Sequence, residues 1–375
     1  MEPVMADPSA TRPVAPVSGP VIAPAHYADP ATFAAEVARI FRRAWLFAGF
    51  AEQVAHPNDF LTTDVAGTSV VVQNFDGELR AFHNVCTHRY SLIQLEPCGN
   101  RRLQCPYHGW LFNRDGVPVG IPGNDAFFGF DRADRQGLAL PRYEVARRGR
   151  FVFVRLEPGG PALDDFLGAY GPLLDDLGAF TEPVADATQE WAANWKIGVE
   201  SVLEPYHVDA THPETFKTFV VKRWTTETAG PHSRCRTEIG DGSRKWWDNT
   251  VRVLGLRGDA RYRDYDHYFL FPNLSLAVTH GSMLSVQTYA PLGPERLALR
   301  YHLFLAPGAR AGAARNAVAA SLTAFNERVL AEDRLVSEST HRGCRQVTAP
   351  AVPGRAEDRI PAFHAAWQDW MGDGR

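Results

Sequence analysis

The sequence predicts an α+β protein in which a compact all-β unit precedes a larger unit of helices and antiparallel strands. Three observations lead there. From about residue 46 to 158 the chain runs in short β-branched or aromatic stretches punctuated by turn dipeptides. After Gly159-Gly160 it changes to helical periodicity mixed with longer strand-like runs, and a long amphipathic helix, from about residue 310 to 341, closes it.

Each element has a local reason. Residues 1–25 are rich in Pro and Ala without a period, which predicts a flexible arm. Over residues 32–45, Phe33, Val37, Ile40, Phe41 and Trp45 recur at helical spacing behind the start signal Asp29-Pro30. Residues 68–72 and 151–156 are strand-like, and Asp76-Gly77 and Asp115-Gly116 are hairpin-type turns. Helical stretches are expected at 161–180 and from 195 to about 209, and strands at 267–278, 283–290 and 297–305. The organisation read from this is an arm (1–25), a helix packing on the second unit (26–45), the all-β unit (46–158) and the α+β unit (159–375).

Composition narrows the function classes. With 375 residues, 45% hydrophobic and 22% charged, the chain is long enough for two ordinary domains. A net charge of −4 offers no basic excess for nucleic acid or an electrostatic membrane anchor. No apolar run reaches the roughly 18 residues of a membrane span, and prolines interrupt any signal-peptide core, so a soluble cytoplasmic protein is expected. Five cysteines without a secretion signal suit a reducing compartment better than a disulfide framework.

Cys86-Thr87-His88 and Cys105-Pro106-Tyr107-His108 place one thiol and one imidazole on each of two loops. Brought face to face, such loops give both sulfurs to one iron and both imidazoles to the other, the Rieske form of a [2Fe-2S] cluster. A zinc site is the alternative, but zinc fingers pair like ligands, whereas here thiol and imidazole alternate. Cys98, between the two pairs, lacks a histidine at ligand spacing and is assigned a structural role.

Glu200, Glu204 and His207 fall at i, i+4 and i+7, one stripe of a helix, which is costly to bury without a metal. His212 lies about 140° off that stripe on an ideal helix. Both imidazoles therefore reach one metal only if the helix loosens near residues 208–211, which Pro213 permits. Two histidines and one carboxylate form the triad of ferrous oxygenases. For the carboxylate, Asp333 interrupts the apolar stripe Val318, Leu322, Phe325, Val329, Val336 of the closing helix. The alternatives are Glu332, or a rim role for Asp333 beside Arg334 or Arg342.

Asn194-Trp195-Lys196, Glu200-Ser201, Glu204-Pro205-Tyr206-His207, His212-Pro213 and Glu332-Asp333 resemble, in order and spacing, the catalytic domain of ring-hydroxylating oxygenase α subunits, and residues 84–89 and 105–110 resemble the two cluster loops of Rieske proteins. The resemblance implies an all-β Rieske domain and a helix-grip-like catalytic domain with a central antiparallel sheet. By it, His207, His212 and Asp333 hold a mononuclear Fe(II), and Glu204 bridges His207 to a cluster histidine of the neighbouring subunit. It implies a homotrimer, with a β subunit as a further possibility. Glutamate at 204, where the family usually has aspartate, resembles the branch acting on choline-type and carnitine-type ammonium compounds. Ser201 replaces a usual asparagine, and His341 a common glutamine, for which surface and pocket roles stand level.

The implied activity is that of a terminal oxygenase using O2 to hydroxylate a small organic substrate, by aromatic ring hydroxylation or by oxidative N- or O-dealkylation. No GxGxxG fingerprint follows a strand, so NAD(P)H electrons are expected to arrive through a separate reductase, by way of a ferredoxin or directly. Arg101, Arg102, Arg147, Arg148 and Arg150 are candidate docking residues for that donor. Between residues 213 and 290, Trp246, Trp247, Tyr262, Tyr265, Tyr268, Phe269 and Phe271 offer aromatic surface for a pocket, an ammonium box included. The competing classes are a Rieske electron carrier without oxygenase activity and a structural zinc protein.

Overall fold

The computed structural model describes residues 19–221 and 223–372. Two seven-stranded, wholly antiparallel sheets organise them. In the first, Leu46–Phe50 pairs with Phe151–Arg155 at one edge, and Thr68–Phe75 lies between Glu78–His83 and Asp59–Val65. Asp76 and Gly77 take positive φ (53° and 96°), as the turn chemistry predicts. Strand alternation divides this sheet between two cores. Phe60, Val71 and Phe82 face a small cluster that includes Cys86, Cys105 and Trp110. Their neighbours Leu61, Val70, Val72 and Ala81 face the main core.

The second sheet runs Glu182–Trp191, Arg296–Leu305, Met283–Gly293, Leu274–Thr279, Tyr265–Leu270, His232–Thr237, Thr225–Ala229. Helices Trp195–Leu203, Ala313–Cys344 and Arg359–Met371 pack with it and with one another. The run expected as one strand at 267–278 is a hairpin, turning through Phe271-Pro272-Asn273. Its Pro–Asn turn signal was on view, but the apolar character continues across it. The expected helix at 161–180 is divided at Gly168, giving Leu163–Leu167 and Gly171–Leu177. Strand Glu182–Trp191 and helices Asp241–Leu254 and Arg359–Met371 were not anticipated.

Of the arm expected at 1–25, residues 1–18 lie outside the described residues. The rest is packed: Ile22 is buried, its amide donates to His364 Nδ1 at 3.1 Å, and Pro24–Tyr27 form a 3-10 turn. Helix Pro30–Glu36 places the fully buried Glu36 where Trp195 Nε1 (2.8 Å), Lys196 Nζ (2.6 Å) and Trp367 Nε1 (2.8 Å) all donate to it. Where the chain enters and leaves the first sheet, Glu157 N donates to Arg42 O at 2.8 Å and the two side chains form an ion pair at 2.8 Å. No helix among the described residues is long and apolar enough to cross a membrane.

Candidate metal centres and active site

The two thiol–imidazole loops repeat one backbone pattern. Cys86 N donates to Ser91 O, and Cys105 N to Trp110 O, each at 2.8 Å; Tyr90 N and Gly109 N return to the Cys86 and Cys105 carbonyls, each at 3.0 Å. The fourth residue after each cysteine takes positive φ, Tyr90 at 62° and Gly109 at 73°. Related by this repeat, the thiols of Cys86 and Cys105 lie buried beside one another. The rings of His88 and His108 meet further out, 4.7 Å between centroids, with Trp110 stacked on His88 at 4.7 Å and 4°. Burial first, with the adjacent Cys105 thiol, pushes the Cys86 thiol up to about 11. A sulfur pair and a nitrogen pair on separate loops match the donor set of a Rieske cluster, whose iron charge inverts that thiol preference. Cys98 is exposed on the edge strand Cys98–Asn100, and all five cysteines are free thiols.

Helix Trp195–Leu203 ends earlier than the stripe argument requires. Glu204 is extended (φ −137°, ψ 146°) because Pro205 excludes helical geometry from the residue before it. The break therefore lies at Glu204-Pro205, and Val208–Thr211 is a separate helical turn ending at His212. This corrects the expected loosening at residues 208–211. It also removes Glu200 from the stripe: its carboxylate accepts from Tyr27 OH (2.7 Å) and faces His364 Nε2 (3.0 Å).

What the break brings together is His207, His212 and Asp333, with one donor atom each within 4.8 Å of the others. His212 Nε2 lies 3.1 Å from His207 Nε2 and 3.0 Å from Asp333 Oδ1, and His207 Nε2 lies 3.5 Å from Asp333 Oδ1. Both Nδ1 atoms point outward to carboxylates: His207 to Glu204, and His212 to Glu332 at 2.7 Å, where Thr215 Oγ1 also donates at 2.6 Å. Outer carboxylates of this kind fix the tautomer and aim Nε2 at a metal. Glu332 is thus the orienting partner of His212. Asp333 is buried among the imidazoles, while Arg334 pairs with Glu338.

The electrostatics ask for a cation. Burial opposes charge on His207, yet Asp333 and Glu204 outweigh it and push that imidazole up to about 10. Burial likewise favours neutral Asp333, but its hydrogen bonds to His207 and His212 hold it below the usual carboxylate range. Three carboxylates around two imidazoles fit a divalent ion.

The triad lines a cavity of about 470 Å³, within the range of small-molecule sites. Of the aromatic residues expected there, Trp246, Trp247 and Tyr265 line it; Tyr262, Tyr268, Phe269 and Phe271 belong to the core. Phe216, Phe219, Trp224 and Arg359 line it without having been anticipated. Ser201 also lines it, donating to Gly198 O at 2.8 Å. His341 is buried and is not among the lining residues. Of the arginines expected as a docking set, Arg150 is buried against Glu52 and Arg148 pairs with Asp164 and Asp175, while Arg101, bonded to Gln94 and the Ile93 carbonyl, Arg102 and Arg147 are exposed.

Residues 175–373 match the family model for the ring hydroxylating alpha subunit (catalytic domain), and residues 44–144 the Rieske [2Fe-2S] domain. The glycine betaine monooxygenase oxygenase subunit of Pseudomonas aeruginosa is 32% identical over 52% of this chain and 45% of its own length. The chloroplastic choline monooxygenase of Amaranthus tricolor is 26% identical over 84% of this chain and 70% of its own. The chain thus spans about half the length of the first of these relatives. Among solved structures, the quaternary ammonium Rieske monooxygenase CntA with L-carnitine superposes with a TM-score of 0.77 at 20% identity, covering 94% of this chain and 96% of that one.

Proposed function

The chain belongs to the ring-hydroxylating α-subunit family, and from that premise we propose that it is a terminal oxygenase that mono-oxygenates a quaternary-ammonium compound. The observation that carries this is the cluster of His207, His212 and Asp333 in an aromatic-lined cavity. The names of the relatives, which concern glycine betaine, choline and carnitine, favour ammonium oxidation over the ring hydroxylation expected alongside it. Trp246, Trp247 and Tyr265 supply ring faces that attract such a cation.

In this reading Cys86 and Cys105 hold one cluster iron and His88 and His108 the other, while His207, His212 and Asp333 hold a ferrous ion. Bound there, the two centres supply electrons and the capacity to activate dioxygen. The chain's own part is positional. Glu204 and Glu332 accept the Nδ1 protons and keep both Nε2 lone pairs directed inward. The aromatic walls exclude water and present a C–H bond beside nitrogen. In the net reaction one oxygen atom enters that C–H bond and the other leaves as water, with two electrons from a separate reductase or ferredoxin and two protons from solvent.

The division at 45/46 and 158/159 into cluster-bearing and iron-bearing units belongs to the same proposal. So does a homotrimer in which Glu204, beside the exposed Tyr206, meets the neighbour's exposed His108. Inter-subunit electron transfer is described for a structurally similar quaternary ammonium Rieske monooxygenase. The test is metal content and oxygen uptake of wild type and His207→Ala, with trimethylammonium compounds and a reductant. About three irons and two sulfides per chain, falling to about two irons with the cluster resonance intact in the variant, is the expected result. About two irons in both proteins would instead identify an electron carrier.

A further inference from the structure

Four cationic side chains are buried among the described residues, and they differ in one respect. Arg150 pairs with Glu52, Arg155 with Glu144 and Lys196 with Glu36. Arg359, 1% exposed at the start of helix Arg359–Met371, has no carboxylate within ion-pair distance among the described residues. Its guanidinium is held by neutral groups. Nε donates to Ser233 Oγ at 3.0 Å and Nη2 to His267 Nδ1 at 3.0 Å, and His267 Nε2 donates to Ser275 Oγ at 2.9 Å. Since guanidinium cannot accept, His267 is the neutral Nε2–H tautomer and cancels none of the charge. The Asp358 carboxylate next along the chain accepts from Thr226 Oγ1 and forms no ion pair with the guanidinium. The Cys235 thiol, a neutral group pushed up by burial, also lies against the guanidinium, and Nη1 has no oxygen or nitrogen acceptor among the described residues.

Arg359 and His267 line the same cavity as the triad. A line of rings leads from the triad into the cavity: His212 packs on Phe216 at 6.2 Å, and Phe216 on Tyr265 at 5.1 Å. The cavity therefore carries the acids of the triad and, beyond the Phe216 and Tyr265 rings, a planar cation without a carboxylate partner. A buried charge left without a partner is strongly unfavourable, and the guanidinium fork matches a carboxylate in two parallel hydrogen bonds.

We infer that Arg359 is a specificity-determining residue that anchors a carboxylate on the substrate, so that the molecule accepted is a zwitterion with ammonium and carboxylate at opposite ends. The anchor rests on the proposed function only for which end reacts. The choice excludes choline, which carries a hydroxyl in place of the carboxylate, in favour of betaine-type acids.

The test is calorimetric binding to the iron-loaded protein without reductant, so that binding is read independently of turnover. The probes are glycine betaine, γ-butyrobetaine and L-carnitine, each against its own carboxamide, with choline as a further neutral probe. In wild type at least one acid binds about 100-fold more tightly than its amide; Arg359→Gln removes that preference, and Arg359→Lys retains part of it. Equal binding of acid and amide throughout the panel in wild type, absence of binding included, overturns the anchor. So does a preference that survives in folded Arg359→Gln or is unchanged in Arg359→Lys. If Arg359→Gln fails to fold, the wild-type pairs and the lysine variant decide. An acid preference without oxygen uptake in the functional assay removes the oxygenase reading and leaves the anchor standing.

Discussion

The two candidate metal centres are built by opposite means. The thiol–imidazole loops lie close together in sequence and are shaped by main-chain hydrogen bonds repeated from one loop to the other. The His207, His212 and Asp333 site draws on two distant segments and is aimed by side chains, Glu204 and Glu332. A site defined by backbone should tolerate change in the side chains around it. A site defined by carboxylates behind its donors should not.

The largest effect that can break this contrast is loss of a triad member. Asp333→Ala is expected to abolish oxygen uptake and reduce iron from about three to about two per chain, with the cluster resonance unchanged. Loss of the cluster signal as well would mean the centres are coupled in folding. Next, Glu332→Gln should weaken iron binding by about 10- to 100-fold, read by competition with a chelator. An unchanged affinity would show that the backbone of residues 208–212 suffices to hold His212.

On the backbone side, Gly109→Ala places a side chain at φ 73° with only Pro122 and Gln104 near, 3.4 and 3.6 Å from the new Cβ. The cost is therefore conformational, about 1–2 kcal/mol in urea unfolding. The opposite change at the matching position, Tyr90→Gly, should be nearly neutral, because relief at φ 62° is offset by unfolded-chain entropy. A histidine held by main chain supplies the smallest test. His232 donates from Nε2 to Phe166 O and accepts at Nδ1 from Phe271 N, and burial brings it down to about 4. The unfolded chain binds that proton at about pH 6.5, so the stabilisation is full above that value and fades as pH falls towards 4. About 1 kcal/mol should be lost by about pH 5.5, and His232→Asn should flatten that part of the stability profile.

The same contrast explains what the sequence disclosed. The cluster loops were legible because each donor pair is a tripeptide or tetrapeptide and the turns between are local. His207 and His212 were legible from spacing, and Asp333 from an acid on an apolar stripe. The helix breaks at Glu204-Pro205 and not at the residues before Pro213, since Pro205 bars Glu204 from helical geometry, while Val208–Thr211 is a separate turn. Glu332, weighed as a rival ligand, lies behind His212, a distinction that depends on which way two neighbouring residues of one helix face. Arg359 carried no signal: it is one arginine in an unremarked segment, and its meaning comes from the acid that is missing beside it in space.

The clasp between Arg42 and Glu157 bears on how far the first sheet can move. A unit carried on one strand of chain can swing through a wide cone, whereas this one hangs from two strands fastened at their base, which leaves little rotation. Electron carriers that shuttle between a donor and an acceptor gain from such swinging. Under the proposed function, the span from cluster to iron would be set by how whole subunits dock and not by travel of the cluster-bearing sheet.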